Sequence, residues 1–168
     1  MTCYNIRTVA IVEDDALLLK AVERYFDRKS IEVLAFEHMP TAEQVAGQST
    51  PDVIILDAHL HEGSGVELVE QVRKLWPGVP IVIWTGDGSK DLRTDCLAAG
   101  CDEVVIKGSA GYSLLSDTVF DAYVRRQGWL SRNAGDAVAA AKLAVDAARE
   151  ARPSLQRLLS MDGELTET

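Results

Sequence analysis

The 168-residue sequence predicts an α/β protein: a doubly wound parallel sheet with helices on both faces, followed by a C-terminal helical extension. Three observations predict it. Short apolar runs alternate five times with segments of helical periodicity over roughly 120 residues, as in β–α units joined by right-handed crossovers. Several runs are apolar throughout instead of alternating, which suits strands covered on both faces. A polar residue directly follows most of them, and open α/β sheets place their ligand crevice at the carboxyl ends of the strands.

Thr8–Val12 is the first strand, and it ends in three acids, Glu13-Asp14-Asp15. Leu18, Ala21, Val22, Tyr25 and Phe26 then recur at helical spacing, with Lys20, Glu23, Arg24 and Asp27 opposite. Asp15 stands at the N-cap of that helix. Ile31–Phe36 alternates loosely, as an edge strand does. Thr41 and Gln44, after Pro40, have the form of a capping box and open a short second helix.

The third strand is the most telling stretch. Val53-Ile54-Ile55-Leu56 is uninterrupted, bounded by Pro51 and Gly63, and delivers a lone carboxylate, Asp57, at its carboxyl end. The loop from Ala58 to Gly65 carries two glycines and two histidines. Val66, Val69, Val72 and Leu75 mark the next helical face, which Trp76-Pro77-Gly78 stops. Val79–Trp84 is a fourth strand, ending at Thr85-Gly86. Ser89–Ala99 is a weaker helix stopped by Gly100, and Glu103–Ile106 is the last strand, ending at Lys107-Gly108. A helix from about Ser113 to Arg126 follows, with Leu115, Val119, Ala122 and Tyr123 inward.

Composition excludes several function classes. No apolar run approaches the roughly 20 residues that span a bilayer, so no membrane partner is expected. Met1–Arg7 lacks the basic start and apolar core of a signal peptide, and a cytoplasmic location is expected. The net charge of −9 argues against nucleic acid as a partner, since broad contact rests on Lys and Arg neutralising phosphates. Cys3, Cys96 and Cys101 are odd in number and lack paired metal-type spacing, so they read as buried or incidental thiols. No GxGxxG follows the first strand and no GxxxxGKS/T occurs, which removes the usual support for a nucleotide cofactor.

Four strands deliver polar side chains to one rim: Glu13 and Asp14, Asp57, Thr85, and Lys107. Each alone reads as a solvated loop residue; four coincident endings do not. Carboxylates converging without a cation would repel each other and raise one another's pKa. Mg²⁺, held by a few carboxylates, a carbonyl and waters, removes that penalty. Lys107 offers a compact charge to a phosphoryl oxygen and Thr85 a hydroxyl donor. Such a rim stabilises charge on a transferring phosphoryl group, and the nucleophile is then a carboxylate beside the metal, Asp57. His59 and His61 read as exposed loop histidines, and Trp84 as core packing.

The stretch from Thr8 to about Arg126 resembles the receiver domain of bacterial-type response regulators. The matching residues are Val12-Glu13-Asp14-Asp15, the Ile-Ile-Leu-Asp run ending at Asp57, Ile83-Trp84-Thr85-Gly86 and Val105-Ile106-Lys107. The resemblance implies a five-stranded sheet in the order 2-1-3-4-5. It implies that Asp57 is phosphorylated by a sensor histidine kinase or phosphotransfer protein in a Mg²⁺-dependent reaction. It makes Asp14 a direct metal ligand, Glu13 an indirect one, and the backbone carbonyl of His59 the remaining protein ligand. Asp15 corresponds to a less constrained third acid. Thr85 would move toward the phosphoryl group and Lys107 would pair with it. Such a protein is a signalling module, not an enzyme with a free substrate, although it assists its own phosphoryl transfer and dephosphorylation. Two positions depart from the pattern: Val104 stands where an aromatic residue is frequent, and Gly108 where many members have proline.

The receiver is expected over residues 1–127 and a helical extension with a disordered end over 128–168. Asn133–Ala151 is alanine-rich and helical by propensity. Val138, Ala141, Val145, Ala148 and Leu155 fall near heptad spacing, with Arg152 on the seam and Pro153 interrupting it. A short coiled coil, a helix folded back on the receiver and a hairpin after Pro153 all fit. Met161–Thr168 is acidic and expected to fray. The extension contains no histidine, which excludes a phosphotransfer domain, and its five basic and six acidic residues form no basic helix for a DNA groove. Output through a downstream protein, or self-association through the extension, is expected. Two rivals remain: a receiver-shaped scaffold that is never phosphorylated, and an aspartate-nucleophile phosphatase. The latter usually carries a second Asp two residues after the nucleophile, where this chain has His59.

Overall fold

In the computed structural model, which describes residues 5–108 and 111–161, five parallel strands pair in the order β2-β1-β3-β4-β5. They are β1 (Thr8–Val12), β2 (Glu32–Phe36), β3 (Val53–Leu56), β4 (Ile81–Thr85) and β5 (Glu103–Ile106). Between and after them run α1 (Ala16–Asp27), α2 (Ala42–Val45), α3 (Gly65–Leu75), α4 (Lys90–Ala98) and α5 (Gly111–Met161). The chain divides into two compact units, Met1–Gln127 and Gly128–Thr168. Among the described residues no helix is long and apolar enough to cross a membrane.

Side-chain alternation explains why the central strands are apolar throughout. Ala10, Val12, Ile54, Leu56, Ile81 and Ile83 face a core built with Leu68, Val69, Val72 and Cys96 of α3 and α4. Val9, Ile11, Val53, Ile55, Val82 and Trp84 face the opposite core, built with Leu19, Val22 and Phe26 of α1 and Leu115, Val119 and Ala122 of α5. Burying a Val, Leu, Ile or Phe side chain is worth about 1.5–3 kcal/mol, so both faces must be covered.

The register sets the rim. Val12 lies level with Leu56, Leu56 with Ile83, and Thr85 with Ile106. The ladder continues one step beyond the strands. Glu13 donates to the Phe36 carbonyl, Asp57 to that of Val12 and Lys107 to that of Thr85, at 3.0, 3.0 and 2.7 Å. The residues after three strand ends are therefore backbone-fixed.

Local caps follow the sequence. Asp15 Oδ1 accepts from the Leu17 and Leu18 amides at 3.0 and 3.1 Å, capping α1. Thr41 and Gln44 form the capping box of α2. Other details differ from the sequence expectation. On α1 the fully buried stripe is Leu19, Val22 and Phe26, while Leu18, Ala21 and Tyr25 are half-buried. Tyr25 instead meets Tyr112 of α5, with ring centroids 5.4 Å apart. On α3 the buried face is Gly65, Leu68, Val69 and Val72, and Val66 and Leu75 are only half-buried. The helix expected to stop near Arg126 is assigned through to Met161. A single glycine costs a helix about 1 kcal/mol, which the good helix formers Arg125, Arg126, Gln127, Leu130 and Arg132 around it offset, so Gly128 does not end it. Pro153 also lies within the helix. Val138 is exposed. The side chains of Val145, Ala148, Arg152 and Leu155, and residues 162–168 with their expected fraying, lie outside the described residues, as does Cys3.

Candidate functional site

The rim at the carboxyl ends of the strands brings together Glu13, Asp14, Asp57 and Lys107. Lys107 Nζ donates to Glu13 Oε2 and to Asp57 Oδ2, each at 2.7 Å. Glu13 is 1% exposed and Asp57 6%, so these are pairs with little solvent screening. One carboxylate oxygen from each of Glu13, Asp14 and Asp57 lies within 4.8 Å of the other two. The remaining oxygens are anchored: Glu13 Oε1 accepts from the Asp15 amide at 3.2 Å, and Asp57 Oδ1 from the His59 amide at 3.0 Å.

Charge is the governing feature. Three carboxylates against one ammonium leave two negative charges in excess at the rim. Burial raises the Glu13 pKa above the usual carboxylate value, against the pull of the Lys107 hydrogen bond and charge. Burial also presses the Lys107 pKa downward, but its hydrogen bonds to Asp57 and Glu13 outweigh that and the net shift is upward. Lys107 is thus held charged. The donor set is all oxygen, two charges in excess, and fits a hard divalent cation such as Mg²⁺. Asp15 is the acid that stands apart, its carboxylate committed to the α1 cap.

Thr85 is fully buried at the end of β4, and its hydroxyl accepts from the Asp87 amide at 3.1 Å. Asp87 in turn accepts from the Ser89 amide at 2.8 Å, which holds its carboxyl below the usual range. His59 Nε2 lies 3.6 Å from Asp87 Oδ2, both side chains being exposed. Val104 is 6% exposed and packs in the core beside α3 and α4. Arg93 of α4 donates to the Val104 carbonyl at 2.9 Å, tying α4 to β5.

Two contacts were not anticipated from sequence. His61, on an exposed loop as expected, touches the Asp14 carboxylate through Nδ1. Trp84 is core packing as expected, 4% exposed, yet its ring also lies under Lys107, with Nζ 5.2 Å from the centroid. The aromatic at the position before Thr85 was the visible signal for the second. Nothing in the spacing of His61 signals the first.

Set against known proteins, residues 9–117 match the family model for the response regulator receiver domain. The chain is 29% identical over 138 residues to the transcriptional regulatory protein PrrA of Mycobacterium leprae, covering 82% of this chain and 58% of that protein. It is 28% identical over 124 residues to the phosphate regulon transcriptional regulatory protein PhoB of Pseudomonas aeruginosa, covering 73% of this chain and 53% of the relative. The chain therefore spans a little over half the length of these relatives. Among solved structures, a CheY-like receiver domain protein from Methanospirillum hungatei superposes with a TM-score of 0.62 at 23% identity, over 74% of this chain and 98% of that one. A response regulator from Burkholderia pseudomallei, solved with a phosphorylated aspartic acid, calcium ion and citrate, gives 0.60 at 21%, over 76% and 75%. The structural likenesses agree with the strand order, and the match over residues 9–117 shows that the chain belongs to the response regulator receiver domain family.

Proposed function

We propose that this receiver domain is a phosphorylation switch in which Asp57 accepts a phosphoryl group from a phosphohistidine of a sensor histidine kinase or phosphotransfer protein. In the transfer an Asp57 carboxylate oxygen forms a bond to phosphorus as the phosphorus–nitrogen bond of the donor breaks. Charge accumulates on the equatorial phosphoryl oxygens, and stabilising it is the main catalytic demand. Lys107, already beside Asp57, turns its ammonium to one of those oxygens. Thr85 donates its hydroxyl proton to another, since the Asp87 amide occupies only an acceptor site on its oxygen. Glu13, Asp14, Asp57 and the backbone carbonyl of His59 are the groups that would hold Mg²⁺, Glu13 through water. When bound, the ion supplies positive charge to the phosphoryl oxygens and offsets the two excess negative charges of the pocket.

The observation that carries this reading is the double contact of Lys107 with Glu13 and Asp57 beside Asp14. A phosphorylated Asp57 would shift a two-state equilibrium and reshape the surface near α4 and β5. The relatives are named as transcriptional regulators; for this chain we place the output in contact with a downstream protein or in self-association through residues 128–168, in the cytoplasm.

The test is incubation of the full chain with Mg²⁺ and acetyl phosphate, followed by intact-mass measurement. A gain of one phosphoryl group, absent in Asp57→Ala and with the metal chelated, supports the switch. Multiple turnover on phosphorylated metabolites would overturn it in favour of a phosphatase. No uptake would leave a scaffold.

A further inference from the structure

We propose that Trp84 is a positioning residue for Lys107, holding its ammonium over Asp57 by a cation–π contact; this rests on the phosphoacceptor reading of Asp57. The 5.2 Å from Lys107 Nζ to the ring centroid lies inside the roughly 6 Å range of such contacts. An ammonium has three donors and no acceptor. Lys107 directs hydrogen bonds to Glu13 and Asp57, and the indole face meets the same ammonium.

The ring is itself held in place. Trp84 packs at 6.1 Å on Tyr112, Tyr112 at 5.4 Å on Tyr25, and Tyr25 edge-on at 5.5 Å on Phe26. This aromatic row runs from the buried face of α1 to the lysine. Gly108, next to Lys107, sits at φ +84°, a left-handed conformation that glycine adopts without strain, and nothing lies within 4 Å of where a Cβ would stand. A cavity of about 430 Å³, lined among the described residues by Leu18, Trp84, Lys107, Gly108, Gly111 and Tyr112, adjoins the lysine. A flexible four-carbon stem beside such a cavity needs a wall, and the indole is one.

An aromatic wall suits the transfer better than another carboxylate would. When Asp57 becomes an acyl phosphate, the ammonium must pass from a carboxylate oxygen to a phosphoryl oxygen. The ring face attracts the cation without a directional bond and without net charge, so it supports both arrangements and competes with neither.

The experiment uses the full chain with Trp84→Leu, Trp84→Phe and Trp84→Tyr, and Val119→Ala as a truncation in the same core that does not touch Lys107. The Lys107 Hε resonances of the unphosphorylated protein should be displaced upfield by the indole ring current, remain displaced in the Phe and Tyr variants, and return to ordinary values in Trp84→Leu. The initial rate of Asp57 phosphorylation by acetyl phosphate at saturating Mg²⁺ should fall about tenfold in Trp84→Leu and recover to within about threefold of wild type with Phe or Tyr. Val119→Ala should lower the melting temperature but leave the rate unchanged. Absence of the upfield shift in wild type, a Trp84→Leu rate within twofold of wild type, or Phe and Tyr variants as slow as Leu would each overturn the proposal. A wild-type chain that takes up no phosphoryl group sinks the phosphoacceptor reading itself; an active wild type with an equally active Trp84→Leu sinks only the role of Trp84.

Discussion

Lys107 Nζ donates to Asp57 Oδ2 at 2.7 Å, joining residues 50 positions apart across the ends of β5 and β3. The same nitrogen serves Glu13, so one cation offsets two buried carboxylates. Lys107→Met should therefore destabilise the metal-free protein by about 1–3 kcal/mol, below the roughly 3–5 kcal/mol for breaking a fully buried pair because the lysine is partly exposed. Adding Mg²⁺ should restore part of the loss, since a divalent ion replaces the missing positive charge. Urea unfolding with and without Mg²⁺ reads both effects; a midpoint unmoved by the substitution would refute the account of the pocket.

Asp14 differs from Glu13 and Asp57 in having no contact with Lys107 among those described, and its carboxylate is 19% exposed at the rim. Its carboxylate meets the exposed His61 instead, so it is the acid of the three that is not tied to the lysine. Asp14→Ala should weaken Mg²⁺ binding by about tenfold or more in titration calorimetry, whereas Asp15→Ala should leave it nearly unchanged and instead cost about 1 kcal/mol through the lost α1 cap. Equal loss of affinity in the two variants would contradict the assignment.

These residues show what could be read from sequence. The strand ends were legible because Val53–Leu56 and residues 81–84 are apolar throughout, as burial on two faces demands, and a polar residue follows each. Which residue of α1 is fully buried was not legible. Leu18 and Leu19 are equally apolar, and the packing of Leu19, Val22 and Phe26 against the sheet and α5 settles the rotation of the helix. The end of α5 was misplaced because Gly128 is a breaker by propensity, which the flanking segment overrides. The contact of His61 with Asp14 depends on the path of a loop, which no spacing rule reports, and that of Lys107 with Trp84 depends on the register of β4 with β5.

Burial pushes the Cys101 thiol up to about 12, with Cys96, Asp102 and Glu103 adding to the shift, and raises Cys96 as well. The unfolded chain releases the Cys101 proton at the ordinary value of 9.0, while the folded chain keeps it. The stabilisation is therefore complete below about pH 9 and declines as pH rises toward 12. The gap in urea midpoint between wild type and Cys101→Ala should narrow over that interval. In a Cys3→Ser background, native protein at pH 8 should resist a thiol-specific disulfide reagent and react with two equivalents once unfolded. Prompt labelling of the native form would disprove the burial argument.

Gly65 opens α3 where that helix meets α4, and the space for its side chain is already taken. A Cβ there would stand 2.9 Å from Cys96 Sγ and 3.2 Å from both Ala58 Cβ and Leu92 Cδ1. Cys96 is fully buried, so its sulfur has no solvent to retreat into. Alanine would gain at most about 1 kcal/mol of helix propensity, while overpacking a tight core costs about 1–3 kcal/mol. The clash wins, and Gly65→Ala should lower stability despite its favourable propensity. Cys96→Ala removes the closest obstructing atom, so the double variant should be more stable than the sum of the single effects by about 0.5 kcal/mol or more. A double-mutant cycle by urea unfolding reads this directly. Strict additivity would mean that α3 and α4 slide apart to accept the methyl group, and that their contact is looser than the distances indicate.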